Sequence, residues 1–215
     1  MGDLLRFPVE RAHPRDGREP VAAAFFFDVS CPLSYLAAER VERRLPGAEW
    51  VAVDGSELIG PSEDPVELTL VRSRAEDYAR AWRLPLVWPE RYPLRAPCAR
   101  RAAAFACELG AGPAFALAAA RLAFCGGFPL DDPETIAEAA AAAAVPLRPC
   151  LKAAGERWRD EELGEVSATL RQVGIDRLPA FKVGSHWLQG EDALGAASAM
   201  MVRGPLAQGP LAPAG

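Results

Sequence analysis

The chain has 215 residues, half of them apolar and a quarter charged, and its 29 acids against 24 bases leave a formal charge of -5. That size suits one domain with a large core, or one domain carrying an insertion. The acidic balance gives no reason to expect nucleic acid or an anionic membrane as partner, and no apolar run reaches the roughly 18 residues of a membrane span.

Residues 1–20 are charged and contain Pro8, Pro14 and Pro20, which excludes the apolar core of a signal peptide and points to the cytoplasm. They read as a flexible arm, and the Pro- and Gly-rich residues 204–215 as a flexible tail. Five cysteines, at 31, 98, 107, 125 and 150, form no C-x-x-C pair and are odd in number, so at least one thiol is expected to be free. Only His13 and His186 are present, neither at metal-ligand spacing. No metal is expected, and histidine is not expected to activate a nucleophile.

The run from Val21 to Val29 reads as a buried central strand. Ser30 and Pro32 then suit a helix start, and Leu36, Ala37, Val41 and Leu45 form a helical stripe that stops before Pro46-Gly47. Glu49 to Val53 is a second strand, and a strand-helix-strand opening should be parallel and right-handed. From about 65 to 173 alanine dominates, and four to six helices are expected. Asp131-Asp132-Pro133-Glu134 starts one of them, and the alanine run after it reads as a packed helix rather than low complexity. Ala180–Val183 and His186–Gln189 around Gly184-Ser185 form a hairpin, followed by a last helix from about Asp192 to Val202.

This order of elements, with a cysteine at the first strand-to-helix junction and Leu178-Pro179 opening the hairpin, resembles the DsbA-type thioredoxin-fold proteins. The segment FFFDVSCPLSYLAAERV is similar to the opening of their 2-hydroxychromene-2-carboxylate isomerase and kappa-class glutathione transferase branch. So are Leu84-Pro85-Leu86-Val87-Trp88-Pro89, Phe128 to Pro133, and Val173 to Val183 leading into Gly190-Glu191-Asp192. The resemblance implies an α/β thioredoxin-like fold built from 21–64 and 174–203, with 65–173 as an inserted helical domain. It also implies glutathione as co-substrate, a homodimer, a cis peptide before Pro179, and a small-molecule or peptide thiol or disulfide as substrate. Cys31 stands where the branch carries its reactive serine, and Ser34 where DsbA oxidases carry their second cysteine. Glu67 and Arg74 fall where the branch usually has Lys and Asp.

Orphan backbone N–H groups and the helix dipole favour a thiolate at a helix N-terminus, so Cys31 is expected to be acidified, into a range of roughly 3.5–7.5, and to alkylate first. The alternative is a small buried core residue. Ser34 could bond the sulfur or cap the backbone. Leu178 and Pro179 would present backbone groups to a peptide or to the cysteinyl part of glutathione, unless Pro179 merely starts an edge strand. Glu191 and Asp192 open the last helix, where the branch receives the γ-glutamyl end; the alternative for Asp192 is simple capping, and a carboxylate at Glu191 repels an acidic ligand unless it points away. Trp88 is the candidate pocket wall. Asp28 and Tyr35 are the polar groups nearest the cysteine, the other four cysteines read as core, and the other tryptophans as packing. The expected activity is therefore monothiol oxidoreduction through Cys31. Isomerase or glutathione transferase activity, and a non-catalytic binding module, are the alternatives.

Overall fold

Three consecutive phenylalanines dominate β1 (Ala23–Phe27), and strand alternation sends them to opposite faces. Phe25 and Phe27 turn to the larger core, where Phe25 meets the Trp50 ring at 4.8 Å and stacks on Phe181 at 5.3 Å. Phe26 turns to a smaller second core and meets Trp187 at 5.4 Å. A strand needs apolar residues at every position only when both its faces are covered, which is the case here. The computed structural model describes residues 22–59 and 64–203; the expected arm and tail lie outside the described residues.

After β1 the chain runs through α1 (Pro32–Arg44) to β2 (Glu49–Ala52), which pairs with β1 in parallel. A short α2 (Ser56–Ile59), which no sequence signal marks, follows. Six helices then intervene: α3 (Pro65–Trp82), α4 (Pro97–Glu108), α5 (Gly112–Phe124), α6 (Pro133–Ala142), α7 (Leu147–Gly155) and α8 (Arg159–Gln172). The chain returns through β3 (Ala180–Val183) and β4 (His186–Gln189) to α9 (Ala193–Arg203). The sheet order is β2-β1-β3-β4, with β3 antiparallel to both neighbours. This is a thioredoxin-like sheet carrying a helical insertion.

Alanine decides how the insertion packs. Ala102 and Ala106 of α4, Ala123 of α5, and Ala139 and Ala140 of α6 are all fully buried, since small side chains let helix backbones approach closely while filling space. The helices start where proline and aspartate put them: Asp64 accepts from the N–H of Val66 and Asp132 from that of Glu134. Asp131 does something the sequence does not suggest, turning to accept from the N–H groups of Cys98 and Ala99 and capping α4 instead. Of the four cysteines read as core, only Cys150 is fully buried; Cys98, Cys107 and Cys125 pack against the core from partly exposed positions. Trp158 corrects its expectation as a packing residue, because it is half exposed and lies against the Arg159 guanidinium.

Candidate active site

The turn from β1 into α1 is held by one buried carboxylate. Oδ1 of Asp28 accepts from the N–H and the hydroxyl of Ser30 at 2.8 and 2.7 Å, and Oδ2 accepts from the N–H of Gly55 and Nε of Arg100, both at 2.9 Å. Arg100 sits in the first turns of α4 and spans the gap to Asp54, 3.1 Å away, while donating to the Ser30 hydroxyl. One guanidinium thus serves two carboxylates and ties the insertion to the loops after β1 and β2. A Cβ at Gly55 would stand 3.0 Å from Asp28 Oδ2 and 3.2 Å from the Leu178 side chain, so any larger residue there would press on both and make them shift.

That frame sets Cys31 at the N-cap of α1, with Pro32 opening the helix. The Ser34 backbone N–H and hydroxyl and the Leu33 N–H lie near its sulfur and favour its charged form, without closing a capping hydrogen bond onto it. The helix N-terminus is therefore aimed at the thiol as the sequence suggests, yet the acidity expected from it is corrected. Burial pushes the Cys31 thiol above its ordinary value, the nearby donor groups of Ser34 and Leu33 pull the other way, and the charge of Asp28 adds to the rise. Cys31 is partly exposed, like Cys98, Cys107 and Cys125, but its side chain packs against both cores, and desolvation there outweighs the helix end. Ser34 is buried, and of the two roles foreseen for it the structure shows the backbone one, its oxygen accepting from the N–H of Asp28 at 3.3 Å.

Leu178 belongs to the same small core that Cys31 packs against, together with Val53, Leu58 and Ala180. The Leu178–Pro179 peptide is cis, and the carbonyl of Pro179 accepts from the N–H of Gly190 at 2.8 Å. Trp88 reaches the site through a residue that the sequence did not single out. Its ring meets Tyr92 edge-on at 4.9 Å, and the Arg72 guanidinium lies 5.0 Å from the Trp88 centroid and 5.3 Å from that of Tyr92. Burial pushes the ionisation of the Tyr92 phenol up, with smaller contributions in the same direction from the charges of Cys31 and Asp28. Trp88 is fixed by donating Nε1 to Glu76 at 2.8 Å. By contrast Tyr35, expected near the cysteine, turns its hydroxyl away to the Pro85 carbonyl and the Cys125 sulfur.

The start of α9 carries a second charge cluster. Glu191 is buried and points inward to an ion pair with Arg74 of α3, and its Oε2 has no hydrogen-bond partner. Asp192 accepts from the Tyr78 hydroxyl at 2.6 Å. Glu67 stands exposed in the first turn of α3, outside both clusters. Arg100, Asp54, Arg72 and Tyr92 are the residues sequence reasoning missed. A buried carboxylate at Asp28 demands a cation, but nothing local says that the cation lies 72 positions further on. Among the described residues no group of His, Cys, Asp or Glu is placed to hold a metal ion, and no helix is long and apolar enough to cross a membrane.

A β2-β1-β3-β4 sheet, a cysteine at the cap of the first helix and a cis-proline opening β3 define a thioredoxin-like protein with a helical insertion. Residues 23–204 match the DSBA-like thioredoxin domain family, and the chain belongs to it. Among solved structures, a 2-hydroxychromene-2-carboxylate isomerase superposes with a TM-score of 0.72 at 18% identity, over 85% of this chain and 95% of that one. A probable DsbA oxidoreductase from Streptomyces coelicolor superposes with a TM-score of 0.62, also at 18% identity, over 86% and 92% of the two chains. No protein with a curated description matches the sequence.

Proposed function

We propose that the protein is a monothiol oxidoreductase that exchanges disulfides through Cys31, with glutathione as the reductant. The observation that carries this is Cys31 itself, set at the cap of α1 with Pro32 opening the helix and with serine rather than cysteine at position 34. In the first step the Cys31 thiolate attacks a mixed disulfide of the substrate with glutathione. The substrate leaves as a thiol after taking up a proton, and Cys31 is left joined to glutathione. A second glutathione thiolate then attacks the glutathione sulfur, releasing oxidised glutathione and the Cys31 thiolate. With no thiol at position 34, resolution must come from outside the chain.

The raised thiol makes deprotonation part of the work. The Ser34 and Leu33 donor groups near the sulfur stabilise negative charge as it develops there. Glutathione's cysteinyl backbone fits beside Leu178. Its α-ammonium fits the carboxylate of Asp192, and its α-carboxylate the N-terminus of α9, because Glu191 is turned inward onto Arg74 and does not repel it.

A second reading, isomerisation or transfer with glutathione adding to a conjugated acid, draws support from Arg72 on the faces of Trp88 and Tyr92, a surface suited to a planar anion. Replacing Cys31 by Ser separates the readings. Loss of glutathione-dependent reduction of hydroxyethyl disulfide by a factor of at least about a thousand, together with loss of the Cys31–glutathione adduct seen by mass spectrometry, is expected. Retained turnover of a 2-hydroxychromene carboxylate by Cys31→Ser would favour the isomerase, and glutathione binding without turnover in the wild-type protein would mark a binding module.

A further inference from the structure

One cleft in the described structure stands apart from Cys31. It encloses about 450 Å3 on the far side of the sheet edge, between β2, the α4–α5 junction and α8. Its floor and walls include Trp50, Val51, Ala104, Pro113, Leu163 and Val166, and none of the groups around Cys31 lines it. It lies along β2, which among the described residues pairs only with β1 and is therefore an edge strand of the described sheet.

The ladder fixes which backbone groups face it. Val53 N–H donates to the Phe27 carbonyl at 2.9 Å, so by alternation residues 49, 51 and 53 bond inward to β1, while Trp50 and Ala52 turn their N–H and C=O groups outward. The outward N–H of Ala52 lies near the Cys107 sulfur at the cleft wall. Trp50 keeps its N–H and C=O towards the cleft. An unpaired edge is a template for another strand, and natural edges are usually blunted by a bulge, proline or lysine. Residues 49–52 hold none of these.

Charge says what kind of strand fits. Three carboxylates line the cleft, those of Glu49, Glu108 and Glu162, against no lysine or arginine. Glu108 is paired with Arg159, whereas Glu49 and Glu162 stand exposed with no ion pair among the described residues. We propose that this cleft binds a short extended peptide segment of a partner protein, which adds to β2 through the Trp50 backbone, places apolar side chains between Val51, Leu163 and Val166, and sets lysine or arginine against Glu49 and Glu162. The site is separate from the Cys31 chemistry and does not depend on it.

The test titrates the full-length 15N-labelled protein with the peptide acetyl-Val-Lys-Val-Lys-Val-amide and follows amide shifts. Saturable shifts centred on Trp50, Ala52 and Val166 are expected. The exposed double reversal Glu49→Lys with Glu162→Lys should weaken binding by about tenfold or more, without changing disulfide exchange at Cys31. Three outcomes overturn the proposal: no shifts at millimolar peptide, equal binding of acetyl-Val-Glu-Val-Glu-Val-amide, or shifts centred on Cys31 and Leu178 instead.

Discussion

Two buried carboxylates, one in the Cys31 turn and one at the start of α9, each take their counter-charge from the helical insertion, but they are finished to different standards. Both oxygens of Asp28 have donors, and Arg100 is only 10% exposed as it bridges Asp28 to Asp54. Glu191 has one partner, Arg74, which is 39% exposed, and its Oε2 is left without a donor. Burying a charge is tolerable when every lone pair is matched and costly when one is not. The first cluster is a fixed frame for the cysteine turn. The second retains spare acceptor capacity at the start of α9, beside the place where a ligand's ammonium would arrive.

Substitutions put numbers on that difference. Arg100→Met leaves Asp28 and Asp54 facing each other without a cation and should lower unfolding stability by about 3–5 kcal/mol in urea titrations. Arg74→Met should cost less, about 1–3 kcal/mol, because water can follow the exposed guanidinium into the gap. Equal losses for the two would break the comparison. Glu191→Gln, which replaces the half-matched charge by an amide able to donate, should change stability by less than about 1 kcal/mol.

The smallest effect is on the thiol. Because Cys31 is raised above its ordinary value of 9.0, it is protonated at neutral pH, and its alkylation by iodoacetamide should be slow there and climb as pH rises past that value. Asp28→Asn removes the negative charge that adds to the rise and should quicken labelling a few-fold at mildly alkaline pH. Labelling of Cys31 as fast near pH 6 as above pH 9 would refute the raised thiol.

Much of the frame was legible in the chain. FFF announces a strand covered on both faces, Cys31-Pro32 the start of α1, the alanine run a packed helix, and Leu178-Pro179 the opening of the hairpin. These are local signals, carried by periodicity, proline geometry and small side chains, and neighbouring residues suffice to read them. The family resemblance added which of these places to compare, and it pointed to Cys31, Ser34, Leu178, Pro179 and Asp192.

What tertiary structure alone decided is electrostatic. The sequence puts Cys31 at a helix N-terminus and so argues for an acidic thiol, but the sulfur's burial between two cores and the charge of Asp28 reverse the sign. Glu191, which reads as a repulsive carboxylate, is turned inward because Arg74 approaches it from 117 positions away. Tyr92 and Arg72 join the site only because α3 and the segment before α4 fold back over it. Local sequence fixes where a group sits along the chain; its charge state depends on desolvation and on partners brought from far away, and those exist only once the chain has folded.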